Sequence, residues 1–369
     1  MSAIGLYIHA PFCVRKCSYC AFNSVEKPKD TSGMCTALSA EFTRRTQKDN
    51  LEFQTFYAGG GTPTLLPPEF WMRMIAMVKT PTLREVTIET NPAVLDAIDY
   101  SSLLLAGFNR ISVGVQSFND KYLKLLGRRH NSSEAAETLK LISRTGFRNM
   151  SIDLMYGLPG QTPEDQKTDV EEVLRFLPQH ISTYDLTLEP GTPMGDRGRK
   201  ASEDECVDMY YQIHEMLTAN GYTHYEVSSY ALEDKYRSLH NSSYWNRTPY
   251  IGIGPSAHSF TGTDRSWNIS GIPEYESAIV NGELPVEFSE ELTSEDAANE
   301  ILALGFRNTN GVDLGLLKDL GFDLDPTDIL STGLVTGSGD VLIPDEKGML
   351  FADLLALKAA ELLERIPGV

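Results

Sequence analysis

A regular alternation of short β-type runs with longer helix-type runs, from about residue 6 to residue 230, constrains the fold more than any other feature. Gly107, Gly146 and Gly221 each stand where a helix should end and are followed by Phe or Tyr and the next strand. This succession is typical of parallel strands joined by crossover helices. We therefore expect an α/β fold with a partial or full (β/α) barrel. The predicted strands are Leu6–His9, Phe53–Ala58, Glu85–Glu89, Arg110–Gln116, Met150–Tyr156, Ile181–Leu188 and His224–Ser228.

Helix-start signals agree with this interpretation. Thr162 precedes Pro163, which places a capping residue before proline at the first helical position. Ser202 and Glu205 have the spacing of a capping box. A 3.6-residue periodicity predicts helices at Glu69–Val78 and Ser133–Thr145.

Three of the five cysteines follow the first strand, in a loop that begins after Pro11. Cys13 and Cys17 are separated by three residues, and Cys17 and Cys20 by two. Thiolates bind iron–sulfur clusters, and complete cysteine ligation of a [4Fe–4S] cluster takes four of them. Three thiols in one loop therefore indicate a cluster with one open iron, which can hold S-adenosylmethionine (SAM) and pass it an electron that yields a deoxyadenosyl radical.

Zinc binding, a disulfide and inert burial compete with the cluster as roles for these cysteines. Zinc usually takes four Cys or His ligands, and although His9 could join, no second Cys-x2-Cys pair follows. A disulfide needs an oxidising compartment, for which no secretory signal is present. Inert buried cysteines rarely have this spacing, and Arg15 with Lys16 between them favours thiolates. The remaining two cysteines, Cys35 and Cys206, fall in helix-type segments and are predicted to be buried and unreactive.

Composition narrows the function. The net charge of −19 argues against nucleic-acid binding, because phosphate backbones must be neutralised by Lys and Arg. The sequence contains no run of eighteen apolar residues, so no membrane span is predicted. A cytoplasmic protein is expected. A length of 369 residues suits one large domain with a smaller one.

Three regions are expected along the chain. Residues 1–231 form the barrel, residues 232–290 form a loop-rich extension, and residues 291–369 form a small helical, winged-helix-like module. In this module Thr293 caps a helix that runs to Gly305. Shorter helices near Val312–Leu320 and Pro326–Ser331, a hairpin at Gly333–Ile343 and a last helix at about Gly348–Arg365 are predicted to follow.

Unusual polar residues end several predicted strands. Glu89, Gln116 and Asp153 lie at or near strand ends, and the three cysteines follow the first strand. Functional groups gather at the carboxyl ends of strands in parallel α/β barrels. A glycine-rich turn, Gly59–Gly61, follows the second strand, where its backbone N–H groups could meet a carboxylate or hydroxyl. These residues are predicted to share one site.

Together these motifs resemble the radical SAM superfamily. The lead-in Tyr-x-His-x-Pro-Phe-Cys at residues 7–13 resembles its coproporphyrinogen III oxidase-like branch, as do residues 89–92, 109–118, 126–130 and 152–162. The resemblance implies a [4Fe–4S] cluster on Cys13, Cys17 and Cys20. It also implies SAM-binding roles, and these residues are Tyr7, Tyr19, Gly60, Gly61, Thr62, Glu89, Gln116, Arg128 and Asp153.

Two groups within the branch differ after the third cysteine. The oxygen-independent coproporphyrinogen III dehydrogenases, enzymes of porphyrin biosynthesis that turn propionate arms into vinyls, carry a further Cys where this chain has Phe22. The haem chaperones of the HemW type carry an aromatic residue there and a His-Asn-x-x-Tyr-Trp motif, present here at residues 240–245. Residues 250–259 resemble the same group. Aromatic rings can stack on a porphyrin and His can ligate its iron, so His240, Tyr244 and Trp245 are the haem candidates.

The resemblance predicts a haem chaperone that delivers haem to apo-haemoproteins, notably membrane-bound respiratory enzymes. It also implies an electron donor and a homodimer. The alternatives are oxidative decarboxylation of coproporphyrinogen III and a radical SAM reaction on an unrelated substrate. No catalytic residue is assigned.

Overall fold

The structure, a computed structural model, describes residues 4–47 and 51–367. Its strands are β1 (Ile4–Ala10), β2 (Phe12–Cys13), β3 (Val25–Glu26), β4 (Phe53–Gly60), β5 (Glu85–Thr90), β6 (Arg110–Gln116), β7 (Met150–Tyr156), β8 (His180–Asp185), β9 (Thr223–Glu226), β10 (Ser229–Ala231), β11 (Tyr250–Ile253), β12 (His258–Phe260), β13 (Asp264–Asn268), β14 (Val286–Glu291), β15 (Val312–Asp313), β16 (Phe322–Leu324), β17 (Val335–Ser338), β18 (Val341–Pro344) and β19 (Leu363–Arg365).

The helices follow the same order along the chain. They are α1 (Ser32–Thr46), α2 (Pro68–Val78), α3 (Ala97–Ala106), α4 (Asp120–Leu126), α5 (Ser132–Thr145), α6 (Pro163–Leu174), α7 (Glu203–Ala219), α8 (Leu239–Trp245), α9 (Ile272–Val280), α10 (Ser294–Gly305), α11 (Leu314–Asp319), α12 (Thr327–Leu330), α13 (Glu346–Leu350) and α14 (Ala352–Glu361). Short 3₁₀ turns occupy Pro63–Leu65 and Asp234–Tyr236.

A twelve-stranded sheet organises the molecule, in the order β14-β13-β12-β11-β1-β4-β5-β6-β7-β8-β10-β9. The seven strands from β11 to β8 are parallel, and both outer parts are antiparallel. Among the described strands, the edges β9 and β14 do not pair, so the barrel is partial. The predicted α/β barrel class is confirmed.

The parallel strands are buried on both faces, as crossover helices require. Ile8, Ile88 and Ile111 have no exposed surface, and Trp71 of α2 contacts Phe56 of β4 edge to face at 6.2 Å. Burying each of these side chains contributes about 1.5–3 kcal/mol. The helices cover the faces of the sheet and leave the carboxyl ends of the strands accessible, so a site can form there.

The predicted helix ends are confirmed. The side chains of Thr162 and Ser202 accept backbone N–H groups in complete capping boxes. Gly107 ends α3 with φ 116°, in a region that favours glycine, and Gly146 ends α5 in the same way. Gly221 has φ 86° and follows Asn220, the residue that caps the end of α7.

Two predicted strands are corrected. The strand predicted at His224–Ser228 is β9, which runs antiparallel to β10 because only two residues separate them and no crossover helix fits. The strand predicted at Ile181–Leu188 ends at Asp185, which pairs with Tyr156, the last residue of the neighbouring β7.

The stretch expected to be loop-rich, residues 232–290, contains helices α8 and α9 and strands β11–β14. β11 lies parallel to β1, and β12–β14 continue the main sheet as an antiparallel meander. These strands are only three to six residues long, and the loops between them are rich in Gly, Ser, Asn and Pro, so the sequence pattern did not reveal them.

The C-terminal part matches the predicted cap at Thr293, the helix to Gly305 and the hairpin, which is β17 with β18. The predicted last helix at Gly348–Arg365 is wrong. It is divided at Phe351 into α13 and α14, and Leu363–Arg365 instead pairs with β16. Buried residues between Ala298 and Ala359 form their own apolar cluster.

The division into regions 1–231, 232–290 and 291–369 stays a prediction. Within the described ranges, no helix combines the length and apolar character needed to span a bilayer.

Candidate functional site

The cysteine loop is anchored at its middle by Ser18. The Ser18 N–H donates to the carbonyl of Leu126 at 3.0 Å, and its hydroxyl donates to the carbonyl of Leu125 at 3.0 Å. The Ser18 carbonyl accepts from the Met194 N–H at 2.9 Å. The end of α4 and the segment after β8 therefore hold the loop at the carboxyl edge of the sheet.

Hydrogen-bond donors meet two of the thiols. The Thr62 hydroxyl lies 3.7 Å from Cys13 Sγ, and Arg128 Nη1 lies 3.5 Å from Cys17 Sγ. A buried guanidinium favours the thiolate that iron requires. Burial raises the pKa of Cys20, the third thiol, and a backbone N–H partly opposes that rise.

The arrangement of the thiols suits a cluster rather than a single metal ion. In the described parts of the chain, no three His, Cys, Asp or Glu side chains surround a point where one metal ion could be held. A [4Fe–4S] cluster makes a different demand, because each thiolate binds its own iron. Cys13, Cys17 and Cys20 line one cavity, so this donor set fits a cluster with one iron left open.

That cavity, the cluster pocket, has a volume of about 330 Å³ and opens at the carboxyl ends of β4–β7. Besides the cysteines, it gathers most of the residues predicted to bind SAM, which are Tyr19, Gly60, Gly61, Glu89, Gln116, Arg128 and Asp153. Thr62 lines an adjoining cavity of about 140 Å³ together with Cys17 and Arg128. Tyr7 instead faces a different cavity described below. The individual SAM-binding roles stay predictions.

Glu89 is a perturbed carboxyl group of the cluster pocket. Its pKa is raised to about 7, chiefly by burial and also by the nearby Asp153, against the opposing effect of the Tyr57 hydroxyl, which donates to Oε1 at 2.7 Å. A carboxyl group held near neutrality can accept a hydroxyl or ammonium group of a ligand. Tyr57 was not predicted as a site residue, because its partner comes from a neighbouring strand.

Asp153 lies deeper in the same pocket. The Ser112 hydroxyl lies 3.0 Å from its Oδ2 and 3.1 Å from its Oδ1. Burial raises the pKa of Asp153, while the Ser112 hydroxyl and the Arg110 charge oppose the rise. The carboxylate of Asp153 therefore already has a hydrogen-bond partner within the protein.

Gln116 and Arg128 are positioned by a bulge at the end of β6. Gln116 has φ 71°, and the β6–β7 register shifts between Gly114 and Gln116. Arg128 donates to the Gly114 carbonyl and, at 2.6 Å, to Asn91 Oδ1, and Asn91 Nδ2 donates to Thr62 at 2.8 Å. Asn91 was not predicted as a site residue, although it stands in the Glu-x-Asn-Pro segment that carried the resemblance.

The glycine-rich turn has a different use from the one expected. The N–H groups of Gly61 and Thr62 donate to the carbonyls of Ala10 and Phe12 at 2.9 and 2.7 Å, so they are not offered to a ligand. Gly60 has φ 104°, and a Cβ there would lie 2.6 Å from the His9 ring. The turn is glycine-rich because it packs directly against the first strand.

His240 is a buried structural histidine. It has no exposed surface, its Nδ1 lies 2.8 Å from the Thr55 hydroxyl, and its Nε2 lies 2.8 Å from the Tyr244 hydroxyl. Its ring stacks on Tyr57 at 4.8 Å, and burial lowers its pKa to about 3. Iron ligation by His240 would break one of these bonds. Trp245 is half-buried, and its indole N–H has no hydrogen-bond partner among the described residues.

A second cavity, the aromatic cleft, lies beside the cluster pocket. It has a volume of about 380 Å³ and is lined by residues that include Tyr7, Phe22, Tyr244, Tyr250 and His258. Phe22 is 64% exposed and lines both cavities. Of the predicted haem residues, the structure thus brings Tyr244 to this cleft and buries His240. Tyr250 and His258 were not predicted, although both stand in the segment 250–259 that contributed to the resemblance.

Cys35 and Cys206 are buried on α1 and α7, as predicted. Burial raises the pKa of Cys35 and raises that of Cys206 to about 11. Both thiols lie on helices, away from the cysteine loop.

Comparison with known proteins identifies the fold and the family. A model of the radical SAM superfamily matches residues 7–177, which implies a [4Fe–4S] cluster and SAM. The crystal structure of coproporphyrinogen III oxidase (HemN) from Escherichia coli, described as a radical SAM enzyme, is similar with a TM-score of 0.82 and 22% identity, covering 96% of this chain and 89% of that chain. At this identity the likeness shows the fold alone.

Curated relatives are closer in sequence. "Heme chaperone HemW" of Escherichia coli (strain K12) is 39% identical over 266 residues, 69% of this chain and 69% of the relative. "Heme chaperone HemW" of Mycobacterium tuberculosis (strain ATCC 25618 / H37Rv) is 31% identical over 364 residues, 95% of this chain and 93% of the relative. The chain therefore belongs to the HemW family of radical SAM proteins.

Proposed function

We propose that this chain is a haem chaperone, which binds haem and delivers it to haem-dependent apo-proteins. The observation that carries the proposal is its similarity to proteins named as haem chaperones over as much as 95% of its length. The arrangement of the two cavities supports it, because a thiol-lined pocket for a cluster and SAM lies beside an open cleft with aromatic walls.

The cluster pocket has residues suited to each part of its cofactors. Cys13, Cys17 and Cys20 would hold the [4Fe–4S] cluster, and Arg128 would stabilise the thiolate of Cys17. When bound, the cluster and SAM supply an electron and an adenosyl group for radical chemistry. Glu89 would accept the ribose hydroxyls or the ammonium group of SAM, and Tyr19 would line the same pocket.

Phe22 favours transport of a porphyrin over its decarboxylation. An aromatic ring offers no proton or hydrogen atom at the position where the decarboxylating enzymes have a further thiol. Its 64% exposure between the two cavities leaves a flat apolar surface available to a ligand. Such a surface suits a porphyrin ring that is to be released unchanged.

The finer parts of this function are proposals as well. The recipients are membrane-bound respiratory apo-enzymes, an electron donor reduces the cluster, and the protein acts in the cytoplasm as a homodimer. The formal net charge of −19 disfavours nucleic acid as a partner.

Haem titration of the anaerobically reconstituted protein tests the proposal. We expect a stoichiometric Soret band that survives gel filtration, and transfer of the haem to membranes that contain haem-depleted respiratory oxidase. Buffer with the same haem concentration and no protein is the control for spontaneous transfer.

Incubation with coproporphyrinogen III, SAM and a reductant tests the alternative, and no vinyl-bearing product is expected. Formation of that product would overturn the chaperone function in favour of the decarboxylase. Failure to retain haem together with rapid SAM cleavage would instead indicate a different radical SAM reaction.

A further inference from the structure

We propose that haem binds in the aromatic cleft with His258 as its iron ligand, while His240 only positions a wall of that cleft. This inference rests on the proposed haem chaperone function and goes beyond it by assigning the ligand and the site.

The cleft is built on one face of the antiparallel part of the sheet. Tyr250 pairs with Phe260, and His258 pairs with Trp267 on the next strand. Because residues two apart on a strand share a face, His258 and Phe260 point to the same side. Trp267 in turn pairs with Phe288 of β14, so aromatic rings continue across the sheet.

His258 is available as a ligand in a way that His240 is not. It is exposed, it lines the cleft, and neither of its ring nitrogens has a hydrogen-bond partner among the described residues. Its ring stacks on Trp267 with a centroid distance of 5.5 Å, which limits its orientation. Burial and the charge of Arg265 lower the pKa of His258, and the neutral imidazole is the form that binds iron.

The cleft continues beyond Tyr244 and Tyr250 into an adjoining cavity of about 340 Å³ that both residues also line. Together the two cavities fall within the 300–1,000 Å³ range that is typical of small-molecule and cofactor sites. Tyr244 and Tyr250 meet edge to face at 4.8 Å and form the wall between the cavities. A flat macrocycle in the cleft would lie against this wall, with Phe22 at the end near the cluster pocket.

The far end of the cleft has the charge that haem propionates need. Arg247 and Arg265 both line the adjoining cavity. Both arginines contact Glu300, so the pair of guanidinium groups carries one positive charge more than this carboxylate neutralises. Guanidinium groups are suited to binding carboxylates. The cleft and its adjoining cavity thus offer aromatic faces, a free imidazole and positive charge next to one another.

His240 acts on this site through Tyr244. Its Nε2 lies 2.8 Å from the Tyr244 hydroxyl, and its Nδ1 lies 2.8 Å from the Thr55 hydroxyl inside the protein. It therefore fixes the angle of a ring that lines the cleft. Loss of His240 lowers haem affinity without removing an iron ligand.

Haem titrations of His258→Ala and His240→Gln, monitored by Soret absorbance and electron paramagnetic resonance, test the inference. We expect His258→Ala to bind ferric haem at least tenfold more weakly with a changed spin state, and added imidazole to restore the original spectrum. We expect His240→Gln to bind up to a few-fold more weakly with the wild-type spectrum. His214→Ala, a histidine of α7 outside the cleft, is the matched control.

The outcomes separate the inference from the function on which it rests. Wild-type protein that binds no haem would overturn the proposed function. Wild-type protein that binds haem, with His258→Ala unchanged in affinity and spectrum, would overturn the inference and leave the chaperone function in place. A change of ligand spectrum in His240→Gln alone would assign the iron to His240 and would also overturn the inference. Circular dichroism of each variant confirms that the titrated protein is folded.

Discussion

The cluster pocket is lined by the three cysteine thiols, carboxylates, amides and basic side chains, with apolar side chains among them, whereas the aromatic cleft beside it has three tyrosine rings, Phe22 and the free imidazole of His258. The pocket lies where parallel strands end, and the cleft lies where the sheet changes to antiparallel strands at β11. Among the described residues, Phe22 is the one that lines both cavities.

The difference in the side chains at the two cavities suggests how one sheet can serve two ligands of different shape and chemistry. Parallel strands direct their carboxyl ends at a small polar cofactor, so each group there has a fixed partner. Antiparallel strands expose a broad face that suits a flat ring. We therefore expect changes in one region to leave the other intact, unless a residue supports both.

The largest effect is expected for Cys17→Ser. Loss of this thiol, which Arg128 contacts at 3.5 Å, should reduce iron content from about four per chain to near zero after anaerobic reconstitution. Haem affinity should stay unchanged, because the cleft contains none of the three thiols. Cys35→Ala, in the core of α1, is the control and should keep its iron. Loss of haem binding together with iron would show that the two regions are not independent.

Arg110→Met should affect the cluster pocket and the aromatic cleft together, because this buried residue supports both regions. Arg110 is 2% exposed and lies close to Asp153 of the cluster pocket and to Glu85, whose carboxylate accepts the N–H of His240 at 3.1 Å. Removing one charge from a buried set costs about 3–5 kcal/mol, and urea unfolding would measure it. Arg144→Met, on the exposed face of α5, should change the free energy of unfolding by less than about 0.5 kcal/mol. An equally small effect for Arg110→Met would contradict the shared support.

Glu89→Gln should change stability only at high pH. The folded-state pKa of about 7 exceeds the ordinary value of 4.5, so folding favours the protonated form, and stability falls as pH rises through 7. This rise in pKa corresponds to about 3 kcal/mol. The SAM-free variant should therefore be more stable than wild type at pH 8 and similar to it at pH 4, as measured by denaturant unfolding. A gain that is the same at both pH values would show that the carboxyl charge is not its cause.

The smallest effect is expected for Tyr244→Phe, which removes the hydroxyl that pairs with His240 Nε2 at 2.8 Å. We expect a loss of about 1 kcal/mol in the free energy of unfolding, with no change in iron content. Tyr211→Phe on α7 is the matched control. A loss of iron in Tyr244→Phe would show that the cleft wall reaches the cluster pocket.

Sequence periodicity predicted the barrel strands closely, because buried parallel strands leave long apolar runs between glycine stops. The bounds Arg110–Gln116 and Met150–Tyr156 were predicted to the residue. The short strands β11–β14 were missed, since three to six residues are too few to establish a period. The strand at Leu363–Arg365 was predicted as helix. It forms a strand because it pairs with β16, which is far away in the sequence.

The site was predictable to the extent that its residues stand at strand ends or within recognisable motifs. Glu89 and Asp153 were found in this way, and they line the cluster pocket. The orientation of His240 could not be predicted from its motif, because one of its two hydrogen-bond partners, Thr55, comes from β4, 185 residues away in the sequence. His258 was overlooked for a related reason, since exposure and a free imidazole become visible only once the sheet is assembled.

The anchoring of Ser18 has a consequence for how the metal centre is built. In a zinc finger the metal drives folding of the peptide, whereas here three hydrogen bonds from Ser18 already fix the middle of the loop to the surrounding barrel. Val14, Arg15 and Lys16 on the preceding arm are exposed and stay open to a scaffold that donates iron and sulfide. We therefore expect cluster maturation to be an insertion into a largely folded protein, and a chelator to remove the iron without unfolding the chain.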